Sequence, residues 1–457
     1  MQLVGGPGPS RRTDAAVASV ALAVAALTLV VTTHVAFRSG NDLLLILRHP
    51  LTLQASQALW TGLASANLMI LQVVCLARLP WLERAWGRGR LTRWHRWLGF
   101  WSFWLMVVHV GLFALQRVLR RPGRAGQALT DVFLREPWML WATIGTVLIV
   151  LVVLTSLAVA RARLRYETWH LLHLWAYVGM AAALPHMLVA SDFHTPWVTA
   201  YWWGLYLGAL GLVVAFRVVL PTWRSWREPL RVLQVEEEAA GAVSVVVGGG
   251  VRRLGARPGQ FLVWRFLGPR GWSRGHPYSL SDAPTDTRTR ITVGGSGDGA
   301  LRLRSLTPGA RVLVEGPYGG LPTTRRRHPH LVLMAAGVGI TPLRSLLGAL
   351  EAAPGEVTVL HRVRDDGDRL FAEEIDELAT RHGVRVVVLA GPRRAPFSWL
   401  PAGVEDTETE ALQRLLPDLL ASDLLLCGPP GWSDAVEHAA RLAGVRRRDL
   451  HREDFAW

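Results

Sequence analysis

The chain has 457 residues, half of them hydrophobic, a balance that excludes a wholly disordered protein and leaves room for two to four domains, one of them in a membrane. Its formal net charge of +15 comes from arginine alone, since no lysine occurs. The arginines flank apolar stretches instead of forming one stripe, which fits membrane orientation and argues against nucleic acid as a partner.

Six uncharged spans fill the first half, at about 15–37, 51–77, 97–116, 137–160, 168–191 and 193–216. Each is long enough to cross a hydrocarbon core of about 30 Å. The first could pass for a secretory signal, but its apolar run is longer than a signal core and has no clear cleavage site, so a membrane helix is expected. Arg78, Arg84, Arg88, Arg90, Arg93 and Arg96 before the third span, with Arg161, Arg163 and Arg165 before the fifth, predict cytoplasmic loops and both termini inside. Arg117, Arg120, Arg121, Arg124 and Arg135, between the third and fourth spans, run against that orientation.

The third and fifth spans carry paired histidines: His95 and His109 lie 14 residues apart, His173 and His186 13 apart. Along a helix each pair is separated by roughly 20 Å, room for two stacked metal centres. Imidazoles inside a bilayer are costly unless they serve a pathway or a cofactor, and haem iron with two axial histidines is the natural occupant. Both helices are odd-numbered and run in the same direction, so the ligands pair by depth: His95 with His173, His109 with His186. Fourteen residues return to nearly the same helix face, whereas thirteen do not, and Pro185 is expected to correct the aim of His186. His170 competes with His173. The bland alternative is a set of ordinary helix-end histidines, which two matched pairs make a poorer explanation.

After Pro221 the texture changes. From residue 230 to about 324, short alternating β-prone runs separated by Gly and Pro predict a small antiparallel barrel. Beyond it, apolar strands alternate with helical segments, as in a parallel, doubly wound α/β sheet. The expected division is 1–222 for an all-α membrane bundle, 223–326 for the barrel and 327–457 for the α/β part.

Within the barrel, GHPYSLSDAP (Gly275 to Pro284) sets a ring, Tyr278, and a hydroxyl, Ser279, on a strand able to stack on a planar cofactor. The bland alternative is a plain strand and turn. The segment resembles the flavin-binding strand of the ferredoxin reductase superfamily, and its His-Pro opening is most similar to membrane NADPH oxidases and ferric reductases. That resemblance, which covers nearly the whole chain, implies FAD held by His276, Pro277, Tyr278, Ser279, Leu280 and Ser281, with Ser279 near the reactive N5 edge and His276 where soluble relatives use Arg. GSGDGALRL (Gly295 to Leu303) resembles the relatives' pyrophosphate-binding helix start, with Gly297, Gly299 and Ala300 at the contact; Ala300 stands where relatives commonly have Ser or Thr. PGQF (Pro258 to Phe261) and EGPYG (Glu315 to Gly319) also match.

AAGVGITP (Ala335 to Pro342) is a strand-to-helix turn in which Gly337 and Gly339 allow close approach to a phosphate and Thr341 is expected to cap the helix. With Pro342, and with Cys427-Gly428-Pro429 about 90 residues on, it resembles the superfamily's NADPH- or NADH-binding domain. The relatives use that cysteine beside the nicotinamide, though a buried small residue at a strand end reads equally well. Arg362, with Arg364, lies where a 2′-phosphate could be read. By resemblance a terminal aromatic, Phe455 or Trp457, covers the flavin.

The expected function is a membrane oxidoreductase passing electrons from cytoplasmic NAD(P)H through FAD and two b-type haems to an outer-side acceptor. A ferric chelate is favoured over dioxygen and superoxide production, or over an electron-delivery role for a partner enzyme. A channel with a regulatory nucleotide-binding tail would need neither the matched histidine pairs nor the flavin strand.

Overall fold

The computed structural model describes residues 11–38, 50–164, 166–190, 195–251, 253–267, 275–295, 297–319 and 327–454. The expected covering aromatics, Phe455 and Trp457, lie outside these. Two compact units are present, one spanning Arg11–Val218 and one running from Val219 onward.

The first unit is helical. Its long helices are α1 (Arg11–Arg38), α2 (Pro50–Cys75), α3 (Arg88–Arg120), α4 (Pro137–Ser156), α5 (Tyr166–Ala190) and α6 (Pro196–Val214). Among the described residues, five helical stretches are long and apolar enough to cross a membrane: Ala15–Val35, Ser56–Cys75, Gly89–Arg120, Trp138–Ser156 and Pro196–Arg227. The sixth expected span exists as α5, but it falls outside that set.

Helix α2 packs along α3, and α4 along α5. Small residues permit the approach: a Cβ on Gly145 would lie 2.6 Å from the Gly179 carbonyl. A buried polar knot ties α1, α2 and α6, with Asn67 Nδ2 donating to Thr28 O (3.0 Å) and Thr32 Oγ1 (2.8 Å), and Tyr201 donating to Thr28 O (3.1 Å). In an apolar medium such bonds hold helices together where burial of methyl groups cannot.

The second unit holds two sheets. Strands β1 (Leu230–Glu237), β2 (Val243–Gly248), β3 (Phe261–Leu267), β4 (His276–Ser279), β5 (Arg288–Val293) and β6 (Arg311–Tyr318) form an antiparallel sheet in the order β4-β3-β6-β1-β2-β5. A bridge between Leu280 and Ile291 joins the outer strands, so the sheet curls back on itself. Val243, Val245, Val247, Leu262, Trp264 and Ile291 fill its interior, the inward half of a two-residue alternation, and α7 (Asp298–Arg304) packs against β1 and β2.

Strands β7 (His330–Ala336), β8 (Val357–Arg362), β9 (Arg385–Leu389), β10 (Ser422–Gly428) and β11 (Leu450–Asp454) form a parallel sheet ordered β11-β10-β7-β8-β9. Separate apolar cores lie on its two faces, one under α8 (Ile340–Leu347) and α9 (Ala372–His382), the other under α10 (Glu408–Leu415) and α11 (Pro430–Leu442). The chain leaves β7 for β8 on one side and later returns to β10 on the other. The carboxyl ends of β7 and β10 therefore flank the switch point where open α/β sheets bind ligands.

Candidate functional site

In the helical unit the four histidines meet in two pairs. The rings of His95 and His173 stand 6.2 Å apart, centroid to centroid, and those of His109 and His186 6.3 Å. Thus His173, and not its competitor one turn earlier, faces His95. Helix α5 runs unbroken through Pro185, and both of its rings still reach their partners on α3.

Each ring is anchored through Nδ1. His95 donates to Gln72 O at 3.0 Å and His109 to Ala58 O at 2.7 Å, both acceptors on α2. His186 turns back to Ala183 O. His173 lies 3.2 Å from Ser156 Oγ, whose own proton is given to Val152 O at 2.7 Å, so the imidazole is the donor. With every Nδ1–H engaged, every Nε2 keeps its lone pair for a metal.

The spacing fits a metal between the rings: two metal–nitrogen bonds of ~2 Å and two ring radii of ~1.1 Å span ~6 Å. Among the described residues no group of three or more His, Cys, Asp or Glu could hold a metal ion. Two imidazoles alone suit an iron whose remaining bonds come from a porphyrin. A residue that the sequence did not single out makes room for one ring: a Cβ on Gly62 would lie 2.7 Å from both Cε1 and Nδ1 of His109.

In the second unit, the barrel motifs separated in sequence converge. His276 and Tyr278 share a strand face with rings 5.6 Å apart and 7° from parallel. A Cβ on Gly299 would lie 3.0 Å from Tyr278 Oη, so the strand and the glycine-rich helix start touch only because that residue has no side chain. Ala300 turns into the barrel core, 1% exposed; the methyl is packing material there and does not stand at the phosphate end. Gln260 donates to Gly319 O at 2.9 Å, joining PGQF to EGPYG. The Glu453 carboxylate of β11 approaches the same glycine.

The nucleotide motifs converge as well. A Cβ on Gly339 would lie 2.0 Å from the Cys427 carbonyl, so the turn after β7 is seated directly on the end of β10. Cys427 itself is fully buried in the apolar core. Gly337 has φ +54°, a left-handed value suited to glycine, and its carbonyl accepts from His361 Nε2 at 3.3 Å. Burial pushes the His361 imidazole down to about 4, so it serves as a neutral donor.

Two expectations need correction. Thr341 does not cap its helix: a 3₁₀ turn at Gly337–Gly339 leaves Gly339 in the cap position, and the threonine hydroxyl donates to Val338 O at 3.0 Å. Arg362 is not offered to a 2′-phosphate. It is buried, and its guanidinium donates to the carbonyls of Val363, Leu389 (3.1 Å) and Gly391 (2.8 Å). Burial, then the charge of Arg393, lowers its pKa from the ordinary value.

Sequence reasoning also missed the clamp between the two sheets. Arg290 on β5 grips Glu374 of α9 with two bonds, at 2.8 and 2.7 Å, while Arg344 of α8 donates to Asp282, Glu374 and Ser281 O, the last at 3.2 Å. Burial alone would raise the Glu374 carboxyl, but the bonds from Arg290 and the neighbouring charges hold it below the usual carboxylate range. The only available signal was the proximity of Asp282 and Arg344 to the two cofactor motifs.

The fold and sites together define a class: an apolar helical component with paired histidines, followed by a flavin-type barrel and a dinucleotide-type α/β sheet. Residues 61–184 match the family of the ferric reductase like transmembrane component, and residues 333–438 match the oxidoreductase NAD-binding domain. The chain thus joins a segment similar to the ferric reductase like transmembrane component to a segment similar to the oxidoreductase NAD-binding domain.

Similar proteins include the flavohemoprotein of Chromobacterium violaceum, 32% identical over 51% of this chain and 61% of that protein. The ferredoxin reductase component of 3-ketosteroid-9-alpha-monooxygenase from Mycolicibacterium smegmatis is 32% identical over 50% of this chain and 65% of its own. The chain spans about three fifths of the length of these curated relatives. Among solved structures, the flavohem-like FAD/NAD binding domain of nitric oxide dioxygenase from Vibrio cholerae is 25% identical, with a TM-score of 0.40 over 50% of this chain and 98% of that one.

Proposed function

We propose that this protein is a six-span membrane oxidoreductase, with both termini cytoplasmic, that carries electrons from NAD(P)H to a ferric chelate on the opposite side. The observation that carries this is the pair of histidine pairs, each at the spacing of a bis-imidazole iron and separated by roughly 20 Å of helix. A bound FAD would convert the two-electron donor to single electrons, and b-type haems would carry those electrons one at a time.

The chain's residues divide that work by segment: 1–222 for the membrane part, 223–326 for flavin and 327–457 for the nucleotide. His95 and His173 hold one iron and His109 and His186 the other, all through Nε2. His276, Pro277 and Tyr278 flank the flavin ring, with Ser279 at its reactive edge and Leu280 and Ser281 continuing the strand. The backbone from Gly297 to Ala300 receives the pyrophosphate. Gly337, Gly339, Thr341 and Pro342 receive the nucleotide, with Cys427, Gly428 and Pro429 beside the nicotinamide.

A ferric chelate is favoured over dioxygen by what lies beyond His109. Its ring stacks towards Phe113 (6.4 Å, 20°), and the Arg117 guanidinium stands 5.0 Å over the other ring. That leads to exposed Arg120, Arg121 and Arg124, a cationic surface suited to an anionic chelate. The test is made in inside-out vesicles supplied with NADPH, where reduced iron should accumulate in the lumen. Superoxide formed at a rate matching NADPH use, unaffected by added ferric chelate, would overturn the choice of acceptor.

A further inference from the structure

Thr292, two residues beyond Arg290 on β5, sits at the centre of a row of buried hydroxyls. Ser281 Oγ lies 2.8 Å from Thr292 Oγ1, Thr292 Oγ1 lies 2.7 Å from Ser244 Oγ, and Ser244 lies 2.5 Å from Glu238 Oε1. Ser281 and Ser244 are 0% exposed and Thr292 4%, whereas the Glu238 side chain keeps 18% of its surface in solvent. The row begins two residues beyond Ser279, the last residue of β4, ~7 Å along the backbone. It ends at the surface.

We propose that this row is the path by which a proton leaves the flavin edge, with Glu238 as its outlet. The inference rests on the electron chemistry proposed above. NAD(P)H gives up a hydride, which is two electrons and one proton, and two ferric centres take the electrons only. For each nucleotide oxidised, the N–H bond that the hydride forms on the flavin must break, and one proton must reach solvent.

The arrangement suits that task. Each hydroxyl has one proton to give and lone pairs to accept another, so a row of them can reverse its donor order as a proton passes. At rest Thr292 donates to Ser281 and Ser244 to Glu238, and a proton moving outward turns the Thr292 hydroxyl from Ser281 to Ser244. The charged groups facing the outlet are Arg290, whose NH1 is 4.0 Å from Glu238 Oε1, and Glu374 behind it.

The test uses the full chain carrying its flavin and haem, mixed rapidly with NADPH in the presence of a pH-indicator dye. Thr292→Val should bleach the flavin at the wild-type rate but release the proton at least ~10-fold more slowly, with an enlarged slowing in D2O, and Thr292→Ser should restore release. In the flavin-free protein, the carboxylate infrared band that Glu238→Gln abolishes should shift in Ser244→Ala. Unchanged proton release in Thr292→Val, or equal flavin loss from Thr292→Val and Thr292→Ser, would overturn the relay while leaving the electron chemistry intact. A wild-type protein whose flavin NADPH does not bleach would overturn the underlying function, and the relay with it.

Discussion

Replacing Gly62 by alanine tests the histidine pairing without touching a ligand. The new Cβ would sit 2.7 Å from Nδ1 and Cε1 of His109, where ordinary contact begins at 3.4 Å, so the ring must retreat by about 0.7 Å. The Nδ1 bond to Ala58 O, 2.7 Å long, lies directly against that contact and is strained or lost. Loss of such an orienting bond costs roughly 10–100-fold in metal affinity, or about 1.4–2.8 kcal/mol. Haem held by His109 and His186 should therefore be depleted, while the His95 and His173 pair, anchored at Gln72 and Ser156, is untouched. The measurement is haem per flavin in purified protein, expected to fall from about two towards about one. Gly111→Ala, on α3 two residues beyond His109 and with nothing within 4 Å of its Cβ, is the control and should keep both. Full haem content in Gly62→Ala, or equal loss in both variants, would refute the assignment of His109.

Gly339→Ala places a Cβ 2.0 Å from a backbone carbonyl that cannot rotate away; overpacking of that kind costs about 1–3 kcal/mol or more, visible as a lowered melting temperature and weakened NADPH binding. Arg362→Met should destabilise by about 1–3 kcal/mol by orphaning buried carbonyls, yet leave the NADPH-to-NADH preference unchanged in steady-state kinetics; a switch in preference would restore its sequence-based role. Glu374 has a folded-state pKa below its ordinary value of 4.5, so its contribution is present above that value and is lost as pH falls through the lower, folded one. The melting-temperature gap between wild type and Glu374→Gln should accordingly stay constant from neutral pH to about 5 and narrow below about 4.

Much of this protein is local and could be read from its residues alone. Helix rise fixed the depth of the histidines, because 13 or 14 residues of helix span nearly the same length in any surroundings. Strand alternation marked the barrel, and alternating strands and helices marked the parallel sheet. HPYS, the turn after β7 and Cys427-Gly428-Pro429 stood out because each is a short continuous run that resembles a superfamily motif.

What required the tertiary structure were contacts between residues distant in sequence. Gly62 matters only because α2 lies against the ring of His109, and Gly339 only because β10 ends beneath it. Thr341 resembled a cap because residue type predicts caps, but the 3₁₀ turn after β7 shifted the helix start by packing against another strand. Arg362 resembled a phosphate reader because an exposed arginine and one folded back onto carbonyls are identical in sequence. The Arg290–Glu374 and Arg344–Asp282 clamp joins segments 84 and 62 residues apart, respectively. Composition supplied fifty basic residues with nothing to distinguish these two; charge becomes specific only when folding buries it beside its partner.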